Sequence, residues 1–460
     1  MVDRIKFLLD ERDIPTTWYN LAADLPPLHP PLNPDTGRPV TRDEMARTMP
    51  EPLIDQELST EREWEIPEPV RQIYAQWRPS PLFRARRLEA ELDTPARIYY
   101  KYEGVAPTGS HKPNTAVAQV FYNKQAGKRG LVTETGAGQW GSALAQSAAM
   151  FGLSAKVYMV KVSFTQKPYR RSLMEAFGAV CVPSPSTETA AGRAVLAVDP
   201  DCPGSLGIAT SEALEAAGAD DSLGYVLGSA SNHVLAHQTV IGQEAIRQFD
   251  LAGDYPDIVV GCAGGGSNLA GLSFPFLGAQ LHGGERVRVI AAEPAACPTL
   301  TRGTIAYDYA DSAGLTPLFR MHTLGHGFVP PTVHAGGLRA HGMGQLVSRA
   351  VEEGLMEARA VTQRRCFDAA VRFARAEGIL PAPESSHAIR VAIDEALRCK
   401  AEGRPQTILF GLSGHGHFDL TAYERFFAGE LDDMELDEET VIAARSSIPE
   451  QVWELAGAAR

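Results

Sequence analysis

The hydrophobic pattern of the chain changes after residue 81. From there, short runs of β-branched and apolar residues alternate with longer stretches in which apolar residues recur every three or four positions. The short runs predict strands and the longer stretches predict helices. Strands are expected at residues 96–101, 130–133, 155–160 and 179–182, and helices at about 114–126, 141–151 and 168–177. This alternation predicts parallel sheet joined by right-handed crossovers.

A second set of such units begins near residue 240. It predicts a helix over 240–249, strands at 257–260 and 286–291, helices from about 364 and 387, and a last strand at 407–410. Residues 300–346 are rich in Gly, His and Pro and are too long for an ordinary connection, which predicts an active-site lid or binding loop. The order of these elements fits two α/β lobes with a cleft between them.

Residues 1–77 contain many prolines and show no sustained periodicity. We expect them to follow the surface as an arm of extended segments and short helices, because proline interrupts regular structure.

Composition narrows the class of protein. The chain has 460 residues, of which 44% are hydrophobic and 22% charged, as in ordinary globular proteins. Its formal net charge of −13 disfavours nucleic acid and anionic membranes as partners, and an acidic cluster near the end is expected to be a solvated tail. The opening residues have too short an apolar stretch for a signal peptide, so none is expected, and no later apolar run approaches ~20 residues. The six cysteines are scattered, without Cys-x-x-Cys, so a cytoplasmic protein with reduced thiols is predicted.

The clearest anion site follows the strand predicted at 257–260. Glycines allow backbone N–H groups to approach a phosphate closely, and the start of a helix adds partial positive charge. Two alternatives stay open. One is a dinucleotide site, because the glycines fit a loose dinucleotide pattern and Glu293 ends the next strand. The other is a tight turn that only joins the strand to the helix. The residues of this predicted phosphate site are Gly264, Gly265, Gly266, Ser267 and Asn268.

Lys112 follows a glycine-bearing turn at the entrance to a helix, beside His111. A lysine that reacts with an aldehyde cofactor needs a site where desolvation keeps its amine reactive. The alternative is an ordinary solvated lysine.

Glu134 ends a predicted parallel strand and begins a glycine-rich segment that runs to Gly141. The glycines, Thr135 and the following helix start are suited to bind a carboxylate, while Glu134 is placed as an acid or base, or as a helix cap. His322 and His326 have metal-ligand spacing but lie among glycine and proline, so no metal site is expected.

These segments together resemble the tryptophan synthase β family. The similarity extends in the same order over roughly residues 78–420 and is carried by 111–114, 134–141, 264–268, 377–388 and 411–416. The long arm, Trp140 and residues 334–342 are similar to the second, standalone type of β chain. This type does not dock an α subunit.

The resemblance implies an α/β fold of PLP fold type II, with two three-layer lobes, mostly parallel sheets and a cleft. Its expected divisions are an N-terminal arm at 1–77, a smaller lobe at 110–232, a larger cofactor-binding lobe at 78–109 and 233–425, and an acidic tail at 426–460. The implied cofactor is pyridoxal 5′-phosphate (PLP).

The resemblance also implies a role for each matching residue. Lys112 binds the cofactor covalently and moves the substrate Cα proton, and Glu134 assists loss of the β-substituent and orients indole. Glu384 lies near the cofactor rim. The phosphate is held by Gly264, Gly265, Gly266, Ser267 and Asn268 with His111 beside it, and the substrate carboxylate by Thr135, Gly136, Ala137, Gly138 and Gln139.

Ser413 is implied to face the pyridine nitrogen. A neutral hydroxyl does not keep that nitrogen protonated, so the cofactor is a weaker electron sink, which suits β-elimination better than transamination. Arg339 departs from the α-docking type, which has an aspartate able to meet the serine hydroxyl. A guanidinium there favours a leaving phosphate, unless Arg339 is simply a surface arginine on a mobile loop.

The predicted function is condensation of serine or O-phosphoserine with indole to give L-tryptophan, by a cytoplasmic homodimer that needs no α subunit. Three alternatives stay open. One is another PLP β-replacement or β-elimination, such as cysteine or threonine synthesis or deamination. The others are a dinucleotide-dependent oxidoreductase and a non-catalytic binding protein. The natural leaving group and acceptor are not fixed by the sequence.

Overall fold

The computed structural model describes residues 4–449. Within these residues the strands are β1 (Lys6–Phe7), β2 (Thr17–Tyr19), β3 (Glu63–Glu65), β4 (Leu82–Arg84), β5 (Arg97–Tyr102), β6 (Gly130–Thr135), β7 (Ser154–Val160), β8 (Val180–Ser184), β9 (Leu223–Tyr225), β10 (Ile258–Cys262), β11 (Arg288–Pro294), β12 (Thr304–Tyr309), β13 (Leu318–Thr323), β14 (Met356–Val361) and β15 (Thr407–Leu412).

The helices of the same residues are α1 (Arg42–Met45), α2 (Glu51–Leu58), α3 (Glu68–Tyr74), α4 (Arg86–Leu92), α5 (Pro113–Gln125), α6 (Gln139–Phe151), α7 (Lys161–Gln166), α8 (Pro168–Ala176), α9 (Ala190–Val198), α10 (Leu206–Gly218), α11 (Asn232–His237), α12 (Val240–Ala252), α13 (Ser267–Leu281), α14 (Gln345–Glu352), α15 (Gln363–Glu377), α16 (Ser385–Glu402), α17 (Leu420–Phe427) and α18 (Glu438–Arg445). None of them combines the length and apolar character needed to span a bilayer.

The larger sheet has seven strands in the order β1-β4-β5-β15-β10-β11-β14. The five strands from β5 to β14 are parallel, and β4 and β1 add an antiparallel edge. The central strands β10 and β15 pair from Ile258 opposite Ile408, and their apolar runs are fully buried. Continuous apolar runs of this kind are typical of parallel strands that are covered on both faces.

Two apolar clusters cover the two faces of this sheet. Val259 and Leu409 pack into a cluster with the arm, α12 and α13, whereas Val260 and Phe410 pack into a second cluster with α4, α15 and α16. Neighbouring residues of one strand therefore face opposite layers, as the period of two requires. The result is a three-layer α/β arrangement.

The smaller sheet has four parallel strands in the order β8-β7-β6-β9. It is built entirely from residues 130–225, and α6 and α10 pack against its central strand β6. The strands thus form two separate sheets, which supports the division into two lobes. The boundaries of the lobes stay a prediction.

The proline-rich arm contains the short helices α1 to α3 and the two-stranded sheet β2–β3. It also contributes more to the core than a surface segment would, because Trp18, Leu53, Val70 and Tyr74 are buried in the cluster beneath α12 and α13. The arm is therefore part of the scaffold that supports the larger sheet.

Two regions differ from their expectations. The stretch 300–346 is not simply a loop, since β12 and β13 form an antiparallel hairpin within it. The acidic segment after residue 426 is not wholly solvated, because Leu431 and Val441 are buried and Arg302 binds Glu438 at 2.6 Å. Residues 450–460 of the expected tail lie outside the described residues.

Candidate active site

One cavity brings most of the sequence-predicted site residues together. Its walls come from the turn before α5, the start of α6, the turn between β10 and α13, and the ends of β10 and β15. The predicted residues among its lining are His111, Lys112, Gln139, Gly264, Gly265, Gly266, Ser267, Asn268, Glu384 and Ser413.

The glycine turn between β10 and α13 forms an anion cradle. Gly266 has a φ of +103° and precedes α13, whose N-terminus has no side-chain cap. A Cβ on Gly265 would lie 2.6 Å from the Ser229 hydroxyl, so no other residue fits at that position without displacement. The uncapped N–H groups and the helix dipole suit a phosphate.

Lys112 directs its amine to this cradle. Its Nζ donates to the Gly228 carbonyl at 2.5 Å and to the Ser267 hydroxyl at 3.3 Å. Burial lowers the pKa of Lys112 to about 8. An amine with this pKa is neutral in roughly one tenth of the molecules at pH 7, a far larger fraction than for an ordinary lysine, and the neutral form is the one that attacks an aldehyde.

His111 links the cradle to the strand end that carries Ser413. One ring nitrogen lies 3.2 Å from the Ser267 hydroxyl, and the other lies 3.3 Å from the Ser413 carbonyl. Burial and the neighbouring Lys112 charge lower the pKa of His111 to about 3, so its imidazole is neutral.

The Ser413 hydroxyl contacts two neutral groups. Its Oγ lies 2.8 Å from the Ser385 hydroxyl and 3.6 Å from the Cys262 sulfur. Burial raises the pKa of Cys262 to about 12, which keeps that group a thiol. Ser413 thus offers a neutral hydrogen-bonding partner at this wall of the cavity.

Glu134 lies at the end of β6 with only 7% of its surface exposed. The Tyr225 hydroxyl donates to its carboxylate at 2.9 Å. Burial raises the pKa of Glu134 to about 7, so both of its protonation states are populated near neutral pH. A carboxyl group with this pKa is suited to both acid and base catalysis.

The predicted carboxylate segment is divided between two cavities. Gln139 lines the first, whereas Gly136 lines an adjacent cavity together with Arg339. The Thr135 hydroxyl accepts from the Gly141 N–H at 3.2 Å. Thr135 is buried, as are Ala137 and Gly138.

Arg339 is not a surface arginine. It is 7% exposed, and its Nη2 donates to the Ser163 hydroxyl at 2.8 Å. Its Nε has no hydrogen-bond partner among the described residues. Burial lowers the pKa of Arg339 to about 10. A buried guanidinium with a free donor is suited to bind an anion.

Glu384 lies at the start of α16 beside the same cavity. Its Oε1 accepts from the Gly337 N–H at 2.9 Å, and its Oε2 has no partner in the described part of the chain. Although burial opposes ionisation, the Lys167 charge and the Gly337 hydrogen bond lower the pKa of Glu384.

A buried ionic network supports the turn that carries Lys112. Arg78 donates to Glu103 at 2.9 Å and to Glu244 at 2.8 Å, and Lys101 also binds Glu244 at 2.8 Å. Arg78 further donates to the Asn114 side chain at 3.0 Å. The network therefore holds the first turn of α5, two residues beyond Lys112.

Glu293, the residue that supported a dinucleotide site, is engaged elsewhere. Its carboxylate accepts from the backbone N–H groups of Leu300 and Thr301, both at 2.8 Å, and from the Thr301 hydroxyl at 2.5 Å. It stabilises a turn, and it is not part of the lining of the first cavity.

Comparison with known proteins agrees with this site. The sequence model of a family described as "Pyridoxal-phosphate dependent enzyme" matches residues 73–414. The chain is 56% identical over 431 residues to the tryptophan synthase beta chain 2 of Methanosarcina acetivorans, covering 94% of this chain and 98% of the relative. It is 58% identical over 421 residues to that of Thermotoga maritima, covering 91% and 100%.

The chain belongs to the tryptophan synthase β family.

Two solved structures share the fold of this tryptophan synthase β family member. A fungal L-serine ammonia-lyase from Rhizomucor miehei matches with a TM-score of 0.55 and 17% identity, over 76% of this chain and 98% of that one. A threonine deaminase isoform 2 from Solanum lycopersicum matches with 0.56 and 18%, over 88% and 97%. The prediction of a mostly parallel α/β fold of PLP fold type II is confirmed.

The cofactor prediction is also confirmed, since the family is PLP-dependent. The residues present fit this cofactor. An uncapped glycine turn is available for its phosphate, a desolvated amine for its aldehyde, and a neutral hydroxyl for its ring nitrogen.

Several polar residues of the site were not among those predicted from the sequence. Ser385 and Cys262 flank Ser413, and Tyr225 holds Glu134. Ser385 lies within a segment that carried the family resemblance, so that segment was a usable signal. Arg170 also lines the cavity, but nothing in its local sequence distinguishes it from a surface arginine.

Proposed function

We propose that this chain catalyses a PLP-dependent β-replacement in which serine or O-phosphoserine condenses with indole to give L-tryptophan. The observation that carries the proposal is the amine of Lys112, which lies 3.3 Å from Ser267 of the phosphate cradle with a pKa lowered to about 8. The relatives' name, tryptophan synthase beta chain 2, supports the choice of reaction.

Each cofactor-facing residue has one task in this proposal. The bound cofactor withdraws electrons from the amino-acid substrate, which eases loss of its Cα proton and its β-substituent. Lys112 would carry the cofactor and would accept the proton from Cα. Ser413 would hydrogen-bond the ring nitrogen, and Glu384 would lie along the rim. The phosphate would be bound by Gly264, Gly265, Gly266, Ser267 and Asn268, with the neutral ring of His111 beside Ser267.

Glu134 and the following glycines act on the substrate. With a pKa raised to about 7, Glu134 can donate a proton to the departing β-substituent and then accept one from the indole nucleophile. The substrate carboxylate binds along Thr135, Gly136, Ala137, Gly138 and Gln139, beside the N-terminus of α6.

Arg339 selects the leaving group in the proposal. Its buried guanidinium retains an unpaired Nε, and a phosphate group would supply the missing acceptor. A charge-assisted contact of this kind also stabilises the negative charge that develops as a phosphate departs. The burial of Arg339 therefore supports O-phosphoserine over serine as the natural donor.

The assembly and location of the protein are part of the same proposal. We expect a homodimer that works without an α subunit, in agreement with the long arm, Trp140 and residues 334–342. The six cysteines are free thiols, which is compatible with a reducing cytoplasm. The substrates are small molecules.

Product analysis tests the reaction directly. The purified protein with PLP should form tryptophan from indole and either serine or O-phosphoserine, with O-phosphoserine giving the higher kcat/KM. Reactions without indole provide the control, because a deaminase would release ammonia and a keto acid at the same rate with or without the acceptor. Failure to form tryptophan from either donor would refute the proposal.

A further inference from the structure

Arg170 is a cationic residue of the cofactor cavity with no assigned role. It lies in the first turn of α8, and its side chain is fully buried. Its Nη1 donates to the Thr108 carbonyl at 3.1 Å, and its guanidinium lies over the Phe418 ring at 4.5 Å from the centroid. Its Nε and Nη2 have no hydrogen-bond partner within residues 4–449.

This arrangement leaves a buried charge unpaired. Burial lowers the pKa of Arg170, while Asp419 and Glu384 oppose the shift from a distance. Asp419 binds Lys167 at 2.5 Å through Oδ1, and Glu384 accepts from Gly337 through Oε1. Their second oxygens have no hydrogen-bond partner among the described residues, so neither carboxylate is hydrogen-bonded to Arg170. Leaving buried guanidinium donors unmet is costly, and such groups in native proteins are normally satisfied by a partner or a ligand. We therefore expect an anion in the cavity to accept hydrogen bonds from Nε and Nη2 of Arg170.

The position of Arg170 indicates which anion. A Cβ on Gly138 would lie 2.8 Å from the Arg170 Cβ, so this arginine packs against one end of the carboxylate segment. At the other end, a Cβ on Gly136 would lie 2.7 Å from the Gly336 carbonyl, and a Cβ on Gly336 would lie 3.1 Å from Arg339. Two buried arginines thus flank residues 136–138 at opposite ends.

We propose that Arg170 binds the α-carboxylate of the amino-acid substrate, together with the backbone of residues 136–139. The cofactor phosphate already has its cradle at 264–268, and Arg339 lies nearer the opposite end of the segment, so the carboxylate is the anion left for Arg170. This inference rests on the proposed function, since it assumes an amino-acid substrate in the same cavity.

Equilibrium binding separates this role from a purely structural one. The cofactor-loaded wild type and the variants are titrated with L-alanine and L-alaninamide and followed by the visible spectrum. Neither ligand carries a leaving group, so turnover does not interfere. Arg170→Gln should weaken L-alanine binding roughly 10- to 100-fold, the range for losing a charge-assisted hydrogen bond, and should change L-alaninamide binding little.

Two further variants complete the test. Arg171→Gln is the matched control, because Arg171 is next in sequence, its side chain is 38% exposed, and it contacts Glu175 at 3.6 Å and the Phe164 ring rather than the cavity. It should leave both affinities unchanged. Arg170→Lys retains the charge and should restore part of the preference for L-alanine, even if Arg170→Gln folds poorly.

Three results would overturn the inference. The first is that Arg170→Gln weakens the binding of both ligands equally. The second is that Arg170→Gln leaves L-alanine binding unchanged and only raises the KM for O-phosphoserine. The third is a wild type that does not bind L-alanine more tightly than L-alaninamide. Tryptophan formation by the wild type in a parallel reaction reports on the proposed function independently of this outcome.

Discussion

Replacing Glu134 with glutamine should stabilise the protein at alkaline pH while impairing its chemistry. The carboxyl group is buried, and its pKa is raised from 4.5 to about 7. Between these values the native protein holds a proton that the unfolded chain has lost, so the free energy of unfolding falls as pH rises. The destabilisation is absent below about pH 4.5 and complete above about pH 7. For this difference in pKa it amounts to about 3 kcal/mol.

Glu134→Gln removes this ionisation but keeps an oxygen to accept the Tyr225 hydrogen bond. Urea denaturation of the cofactor-loaded wild type and variant at pH 5 and pH 8.5 provides the assay. We expect similar midpoints at pH 5 and a higher midpoint for the variant at pH 8.5. The exposed Glu424→Gln is the control. A difference that does not grow with pH would refute the reasoning.

The same substitution should lower kcat by ~10²-fold, the usual scale for losing a general acid or base. It should also remove the ionisation near pH 7 from the pH profile of kcat/KM. Tyr225→Phe provides a graded test. Because the Tyr225 hydrogen bond lowers the pKa of Glu134, removing it should move that ionisation to higher pH. An unchanged pH profile in Glu134→Gln would exclude Glu134 as the titrating group.

Three further predictions concern selectivity, stability and assembly. Arg339→Ala should reduce the kcat/KM advantage of O-phosphoserine over serine by one to two orders of magnitude; a wild type that prefers serine would contradict this. Glu244→Ala leaves Arg78 and Lys101 without their shared carboxylate in the core, so it should lower the free energy of unfolding by about 3–5 kcal/mol. A denaturation midpoint of Glu244→Ala equal to that of the wild type would contradict this prediction. Adding an α chain should not increase tryptophan formation strongly, and a large activation would argue for the α-docking type.

Much of the fold follows from local sequence, because parallel strands carry continuous apolar runs. Residues 258–260 and 408–410 are such runs, and they form the buried centre of the larger sheet. The glycine turn after β10 was predictable for the same reason, since a strand followed by glycines and a helix places backbone donors at the strand end.

The hairpin of β12 and β13 was not predictable in this way. Its strands carry the buried polar residues Asp308 and Thr323, which interrupt the apolar pattern. Asp308 is satisfied only after folding, when the hydroxyl of Thr323 and the ring of His326 come within 2.7 Å of it. The pattern of apolar residues along the chain does not predict such hydrogen bonds.

Site residues whose roles depend on contacts between distant parts of the chain were also not predictable from local sequence. Tyr225 holds Glu134 across 91 positions of sequence. Arg170 and Arg171 are adjacent, although one is fully buried and the other is half-exposed. Helix spacing alone does not determine which arginine faces the cavity, because that choice depends on how α8 packs against α6.

The most direct measurement of the central claim is to identify the lysine that carries the cofactor. The PLP-loaded protein is reduced with borohydride, digested and analysed by peptide mass spectrometry. Lys112 should carry the pyridoxyl group, and Lys112→Ala should lose both the modification and the visible absorbance of the bound cofactor. Lys101 and Lys167 are the informative alternatives, because both are buried yet held in ion pairs with Glu244 and Asp419. A pyridoxyl group on either of them, or full activity in Lys112→Ala, would contradict the account.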